Sequence, residues 1–346
     1  MLLKKNKTDN DSLIRSQILN DASWREIFCS ISSNYSVFQS PDWINCMERC
    51  TKSGVAKVFH FEFADGSQVF WPFLQYPMGR VFTSFTAMPF GVYGKPIVIG
   101  RWSPKKGGEI LHMIMRGWNM QLTYVENPLD ERIDFLLPAG ITLEVRKCET
   151  HILELAPSWD VMWLNTFTNR IRRQVRVAEK SGLTIRPGFT NHDIEEFYRL
   201  YQLESKEWGY EKSPYSLQFF LDLLNSSCNN IKLLLAEEQA RVIAGMIYVE
   251  DNNSLLCWFG TKDKTIEDKF PTYYLFSHVI HEAIKQEKKF LNLGASGNLE
   301  GVRRFKEMWH AKPVSYNVLI FRRQSAINSI EKVSALYHYL FRKGNG

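Results

Sequence analysis

The sequence predicts an α/β fold of two domains, each a mixed sheet flanked by helices. Three observations carry this. The 346 residues exceed the roughly 100–200 typical of one domain. The second half alternates strand-length apolar runs with amphipathic stretches in the order β-α-α-β-β-β-α-β-α-β. Finally, 45% hydrophobic against 23% charged residues is the balance of a chain that buries a core.

Element by element, residues 1–20 are polar and predict a loose arm or short helix. Residues 21–155 form the first domain. There Ser40-Pro41 reads as a helix start, a capping serine followed by proline at the first helical position. Asp65-Gly66 between Ala56–Phe63 and Gln68–Tyr76 reads as a hairpin turn. From Met78 to Gly100 the pattern dissolves into glycine, proline and aromatics, a long loop of functional type. Ser103-Pro104 starts another helix, and strands near 120–126 and 141–155 close the domain.

Residues 156–325 form the second domain. Ser158–Ser181 predicts one helix ending at Gly182. A strand Leu183–Arg186 follows, then a helix from about His192 to Trp208 and a further one capped at Ser213-Pro214. Strands at Ile231–Ala236, Arg241–Glu250 and Ser254–Gly260 lead to a helix from Pro271 to about Gln286. A strand Phe290–Leu293, a helix from about Gly301 to His310 and a strand Val314–Phe321 complete it. Residues 326–346 are a C-terminal helix or tail.

Composition excludes several classes. No run of about 18 apolar residues occurs, so no spanning helix is expected, and no apolar stretch follows the N-terminal lysines as a signal peptide requires. The six cysteines include no C-x-x-C pair, the pattern of free thiols in a reducing compartment. A cytoplasmic protein is the expectation. The formal net charge of +6 mildly favours anionic partners.

Among possible sites, the basic stretch Arg170–Arg186 stands out. Arg172, Arg176 and Lys180 recur every four residues, forming a helical stripe opposite Ile171, Val175 and Ala178. It reads either as an anion contact or as a solvated face. His278 and His281 have the wrong spacing for H-E-x-x-H, and Cys46 and Cys50 have no partner histidine, so no metal is predicted. The serine-hydrolase, P-loop and dinucleotide glycine patterns are absent.

The element order of residues 183–322 resembles the Gcn5-related N-acetyltransferase (GNAT) fold. Four stretches are similar to the Fem aminoacyltransferases and FemAB-like proteins, which carry two such domains in tandem. They are Phe38-Gln39-Ser40-Pro41-Asp42-Trp43, then Pro89-Phe90-Gly91-Val92-Tyr93-Gly94, then the basic stretch Arg170–Lys180. The fourth and most specific is Leu291-Asn292-Leu293-Gly294-Ala295-Ser296 followed by Gly301-Val302-Arg303-Arg304-Phe305-Lys306-Glu307-Met308-Trp309. They occur in the family's order. The Arg/Gln-x-x-Gly-x-Gly/Ala phosphate loop of acetyltransferases is missing.

The resemblance implies two tandem GNAT-like domains, the first degenerate and the second holding the donor groove. It implies acyl transfer to an amine, with Lys306 beside Phe305 as catalytic centre, because an ammonium stabilises a developing oxyanion. It places acceptor contacts at Lys212 and Tyr215, with Tyr93 and Trp258 as pocket aromatics. Glu207 is the candidate general base. Donor phosphates are expected at the helix start Lys269-Phe270-Pro271-Thr272, through Lys269 and Thr272, with Arg172 and Arg176. Acyl-CoA is the favoured co-substrate, since the chain has no room for a tRNA-gripping arm, and no tightly bound cofactor is expected. Aminoacyl-tRNA with a peptidoglycan-precursor acceptor is the alternative. A non-catalytic module binding RNA or another polyanion is the third.

Overall fold

The computed structural model describes residues 10–31, 35–297 and 299–324. The expected tail 326–346 lies outside the described residues. The first half runs β1 (Leu13–Leu19), α1 (Asp21–Ser30), a 3-10 turn (Val37–Gln39), α2 (Pro41–Cys50), β2 (Val55–Phe63), β3 (Gln68–Met78), β4 (Phe82–Ala87), β5 (Ile97–Ile99), α3 (Pro104–Ile114), β6 (Asn119–Val125) and β7 (Ile141–Glu154). The second runs α4 (Trp159–Val161), a π turn (Met162–Thr166), α5 (Asn169–Lys180), β8 (Thr184–Gly188), α6 (Asn191–Glu207), α7 (Leu217–Leu224), β9 (Ile231–Glu238), β10 (Arg241–Glu250), β11 (Ser254–Lys262), a 3-10 turn (Lys264–Lys269), α8 (Pro271–Lys285), β12 (Phe290–Asn292), α9 (Glu300–Met308) and β13 (Lys312–Arg323).

The local start signals hold. The Ser40 side chain accepts from Trp43 N and Ser103 from Lys106 N, so each satisfies a helix N–H that no carbonyl reaches. Four expectations are corrected. Part of the expected arm, residues 13–19, is an edge strand on β2; its polar residues suit an edge that faces solvent. The expected loop 78–100 contains β4 and β5, whose apolar and threonine residues pair with β3. The expected helix 158–181 breaks at Phe167, which turns extended to pack on Trp309 at 5.2 Å, while Thr168 caps α5 anew. The next helix starts at Leu217, not at Pro214, because Ser216 supplies the cap.

The described strands form one sheet in the order β1-β2-β3-β4-β6-β13-β7-β12-β11-β10-β9-β8, with β5 paired to β3. The halves interlock. β13, from the end of the chain, inserts between β6 and β7, while β7 from the first half pairs with β12 of the second. A division at 155/156 therefore separates the chain but not the sheet.

Three cores follow. On one face, Trp43 and Met47 of α2 pack with Phe197 of α6 and Phe220 of α7 in a cluster spanning both halves. On the other face, Ile110 and Leu111 of α3 cover Trp71, Phe73 and Leu122 in the first half. In the second half Val175, Leu275, Ile280 and Trp309 bring α5, α8 and α9 onto the sheet.

Candidate active site

β11 and β12 run parallel from Ser254/Phe290 to Leu256/Asn292 and then stop pairing. A bulge at Trp258 breaks the β10–β11 register, so Trp258 and Phe259 both turn toward the interlocking core while Cys257 faces the α8–α9 side. The Trp258 ring lies 5.6 Å from Trp43, and its Nε1 donates to Phe90 O at 3.4 Å. Across the gap the chain leaves β12 through Gly294, at φ +72°, which returns the backbone toward Cys257 O.

Lys306 closes this gap. α9 exposes Arg303, Arg304 and Glu307, yet Lys306 is only 5% exposed. Its Nζ donates to Gly294 O at 2.8 Å and Ala295 O at 2.9 Å, which leaves a third N–H. Burial pulls its pKa down to about 8, weakly opposed by Cys257. Phe305 turns inward instead, packing on Tyr273 at 5.1 Å and Phe276 at 5.0 Å. It seats α9 on α8.

The backbone at Gly294 is itself held. Gly294 N donates to Asn292 Oδ1 at 2.9 Å, and Thr150 Oγ1 donates to the same oxygen at 2.6 Å. Asn292 Nδ2 donates to Tyr93 Oη at 2.6 Å. A continuous network thus runs from the first half's aromatic loop to the lysine. Beside it, His151 of β7 is 1% exposed, with Nδ1 3.5 Å from Ser296 Oγ and Nε2 4.0 Å from Glu307 Oε1. Burial lowers its pKa, with Lys306 acting in the same direction. Neither Asn292 nor His151 was assigned from sequence. Asn292 stands in the quoted block but carries no chemistry alone, and only β7 insertion brings His151 here.

On the opposite side of the sheet lies an aromatic wall. Tyr215 packs on Phe219 at 4.6 Å and Phe259 at 5.3 Å, and Phe90 meets Phe219 at 4.9 Å. Tyr215, Trp258 and the loop bearing Tyr93 are thus brought together, whereas Lys212 is exposed on the α6–α7 connection. Glu207, the expected base, is corrected. It pairs with Lys264, and both side chains are half-exposed. One turn earlier, Glu204 lies against Thr261; burial pushes its carboxyl up, and Oε2 has no hydrogen-bond partner. The period Ile194, Phe197, Tyr201 already places residue 204 on the buried face.

At the start of α8, a cavity of 420 Å³ is lined by Asn169, Arg170, Arg173, Gln174 and Phe270. Phe270 sits at φ +50° and no side chain caps α8, so its first N–H groups face outward beside the arginines. Thr272 is in the first turn. Lys269 is engaged by Glu238. The expected arginines are corrected: Arg172 donates to Trp163 O at 2.7 Å and Leu164 O at 3.1 Å, and Arg176 lies 5.5 Å over the Trp163 ring. Burying Ile171, Val175 and Ala178 rotates these two toward the π turn and presents Arg170 and Arg173 to α8.

The matching place in the first half is filled. Beyond Ala87 the loop crosses the ends of β4 and β6: Gly94 N donates to Val125 O at 3.1 Å, and Trp71 Nε1 donates to Gly94 O at 2.8 Å. A Cβ at Gly94 would stand 2.0 Å from Ala87 O. Phe135 covers the start of α3, and Leu136 N donates to Pro104 O at 2.7 Å.

Residues 165–307 match the acetyltransferase (GNAT) domain family model. No curated protein matches the chain by sequence. Among solved structures the chain is similar to FemX, at 10% identity and TM-score 0.64 over 88% of this chain and 97% of that one. It is also similar to a conserved protein of unknown function from Bacteroides thetaiotaomicron VPI-5482, at 11% identity and TM-score 0.57 over 89% and 99%. The chain therefore has the fold of FemX, and its residues 165–307 match the acetyltransferase (GNAT) domain model.

Proposed function

We propose that the protein is an N-acyltransferase whose second half binds the donor and whose acceptor amine enters between the halves. The single observation that carries this is Lys306, a buried amine held by two carbonyls where β11 and β12 part. The acceptor nitrogen attacks the acyl carbonyl, the bond from that carbon to the donor's sulfur or oxygen breaks, and the nitrogen's proton ends on the leaving group. The third N–H of Lys306 stabilises the oxyanion formed on the way. Glu204 takes the place of Glu207 as the proposed proton acceptor. The first half, filled by Gly94 and Phe135, contributes Tyr93 and no donor site.

Acyl-CoA is the favoured donor, its phosphates meeting α8 between Arg170 and Arg173 with Thr272 in the first turn. The acceptor is a small or cell-envelope-precursor amine in the cytoplasm, against Tyr215 and Trp258 with Lys212 at the rim. One observation favours aminoacyl-tRNA instead. The turn before α8 has no glycine, and Phe270 occupies a left-handed position where glycine lets backbone approach a pyrophosphate.

Calorimetric titration with acetyl-CoA, beside CoA and beside Lys306→Ala, tests the proposal. Saturable binding that Lys306→Ala retains while losing turnover is expected, since the lysine acts in the transition state. Absence of binding would overturn the acyl-CoA donor and direct the titration to charged tRNA. Binding of RNA without turnover of any acyl donor would leave a polyanion-binding module.

A further inference from the structure

Most surface arginines in the second half are tied to carboxylates: Arg186 to Asp193 and Glu237, Arg199 to Glu196, Arg241 to Asp263, and Arg303 to Glu300 and Glu307. α5 departs from this. Arg170, Arg173, Arg176 and Lys180 are exposed, and among the described residues none of them is in an ion pair. Glu179 is the helix's one acid.

Beside this charge the chain holds apolar side chains in water. Leu164 is 68% exposed, Val161 40% and Val177 38%. Trp159 and Trp163 stack at 5.5 Å, and Arg176 over the Trp163 ring makes the apolar and basic parts one continuous surface. The exposed turn is rigidly built. Met162 and Phe167 anchor it in the core, and Arg172 ties down the carbonyls of Trp163 and Leu164. A π turn held open in this way needs a reason beyond packing, because it spends apolar side chains on solvent.

We propose that this face docks on an anionic lipid bilayer. Leu164, Val161 and the tryptophan pair enter the boundary between headgroups and acyl chains, and Arg176 and Lys180 meet the lipid phosphates. Charge alone would suit a polynucleotide equally. The apolar residues decide for the bilayer, because a phosphate–sugar backbone offers them nothing, whereas interfacial segments pair tryptophan and leucine with lysine and arginine. Attachment is peripheral: among the described residues no helix is long and apolar enough to cross a membrane. The inference does not depend on the acyl-transfer reading.

Co-sedimentation of the full chain with mixed phosphatidylglycerol–phosphatidylcholine vesicles, beside pure phosphatidylcholine vesicles, tests it. Binding only to the anionic vesicles, weakened by salt, is expected. Replacing Arg176 and Lys180 together by glutamine should lower the partition coefficient about 25-fold, at roughly fivefold per basic side chain. Leu164→Glu should lower it as well, with the melting temperature unchanged. Should loss of the Arg176 stack unfold the turn, Lys180→Gln with Leu164→Glu keeps both arms of the test. No vesicle binding, or vesicle binding indifferent to Leu164→Glu, overturns the proposal. So does single-stranded RNA that displaces the vesicles and binds Leu164→Glu as tightly as the parent, which would make the face a nucleic-acid surface.

Discussion

Tyr93 and Asn292 come from opposite halves of the chain and meet in a 2.6 Å hydrogen bond, Asn292 Nδ2 donating to the Tyr93 hydroxyl. Both are buried, at 6% and 1% exposure. Because Asn292 also receives Gly294 N, and Gly294 O receives Lys306, the first half sets the position of the second half's lysine. Tyr93→Phe leaves a buried amide donor unpaired. It should cost about 1–3 kcal/mol in urea unfolding, and reduce turnover more than donor affinity.

Lys306 makes stability depend on pH. Its folded pKa of about 8 lies below the ordinary 10.5, so between these values the unfolded chain binds more protons than the folded one. Stability must then rise with pH across that window, by at most roughly 3 kcal/mol. Below about pH 8 both states are charged and the cost is constant. Urea unfolding of the parent and of Lys306→Met should diverge in this sense from about pH 8 to 10.5; parallel curves would place the amine in water.

Glu204 and Glu207 are one turn apart on α6, yet only Glu204 is drawn against β11. Glu204→Gln should lower kcat by about 10²–10⁴ if it accepts the amine proton. Glu207→Gln, which breaks a half-exposed pair with Lys264, should leave kcat and stability little changed. Steady-state kinetics with an identified acceptor reads both.

The exchanged strands predict how the chain can be cut. A fragment beginning at residue 156 lacks β7 and leaves the facing edges of β12 and β13 unpaired. It should show no cooperative thermal transition by circular dichroism, whereas a fragment beginning at residue 141 regains one.

Much of the chain was legible without the fold, where neighbours in sequence settle the matter. Ser40 and Ser103 cap helices from three residues away, Asp65-Gly66 turns a hairpin, and Gly182 ends a helix at φ +79°. Lys306 stood out differently, through the resemblance of its block to the Fem proteins. The misreadings at 13–19 and 78–100 share one cause. Edge and short strands take their partners from elsewhere, so their own sequences show little periodicity.

The sequence by itself determined the α/β layering and the helix starts at Ser40 and Ser103, because each rests on residues within a few positions of one another. Tertiary structure alone decided that β7 and β13 complete each other's halves and that Arg170 and Arg173 rather than Arg172 and Arg176 line the cavity at α8. The physical reason is common to both. A helix's rotation and a strand's register are set by which apolar residues find a core, and those cores are assembled from both halves of the chain.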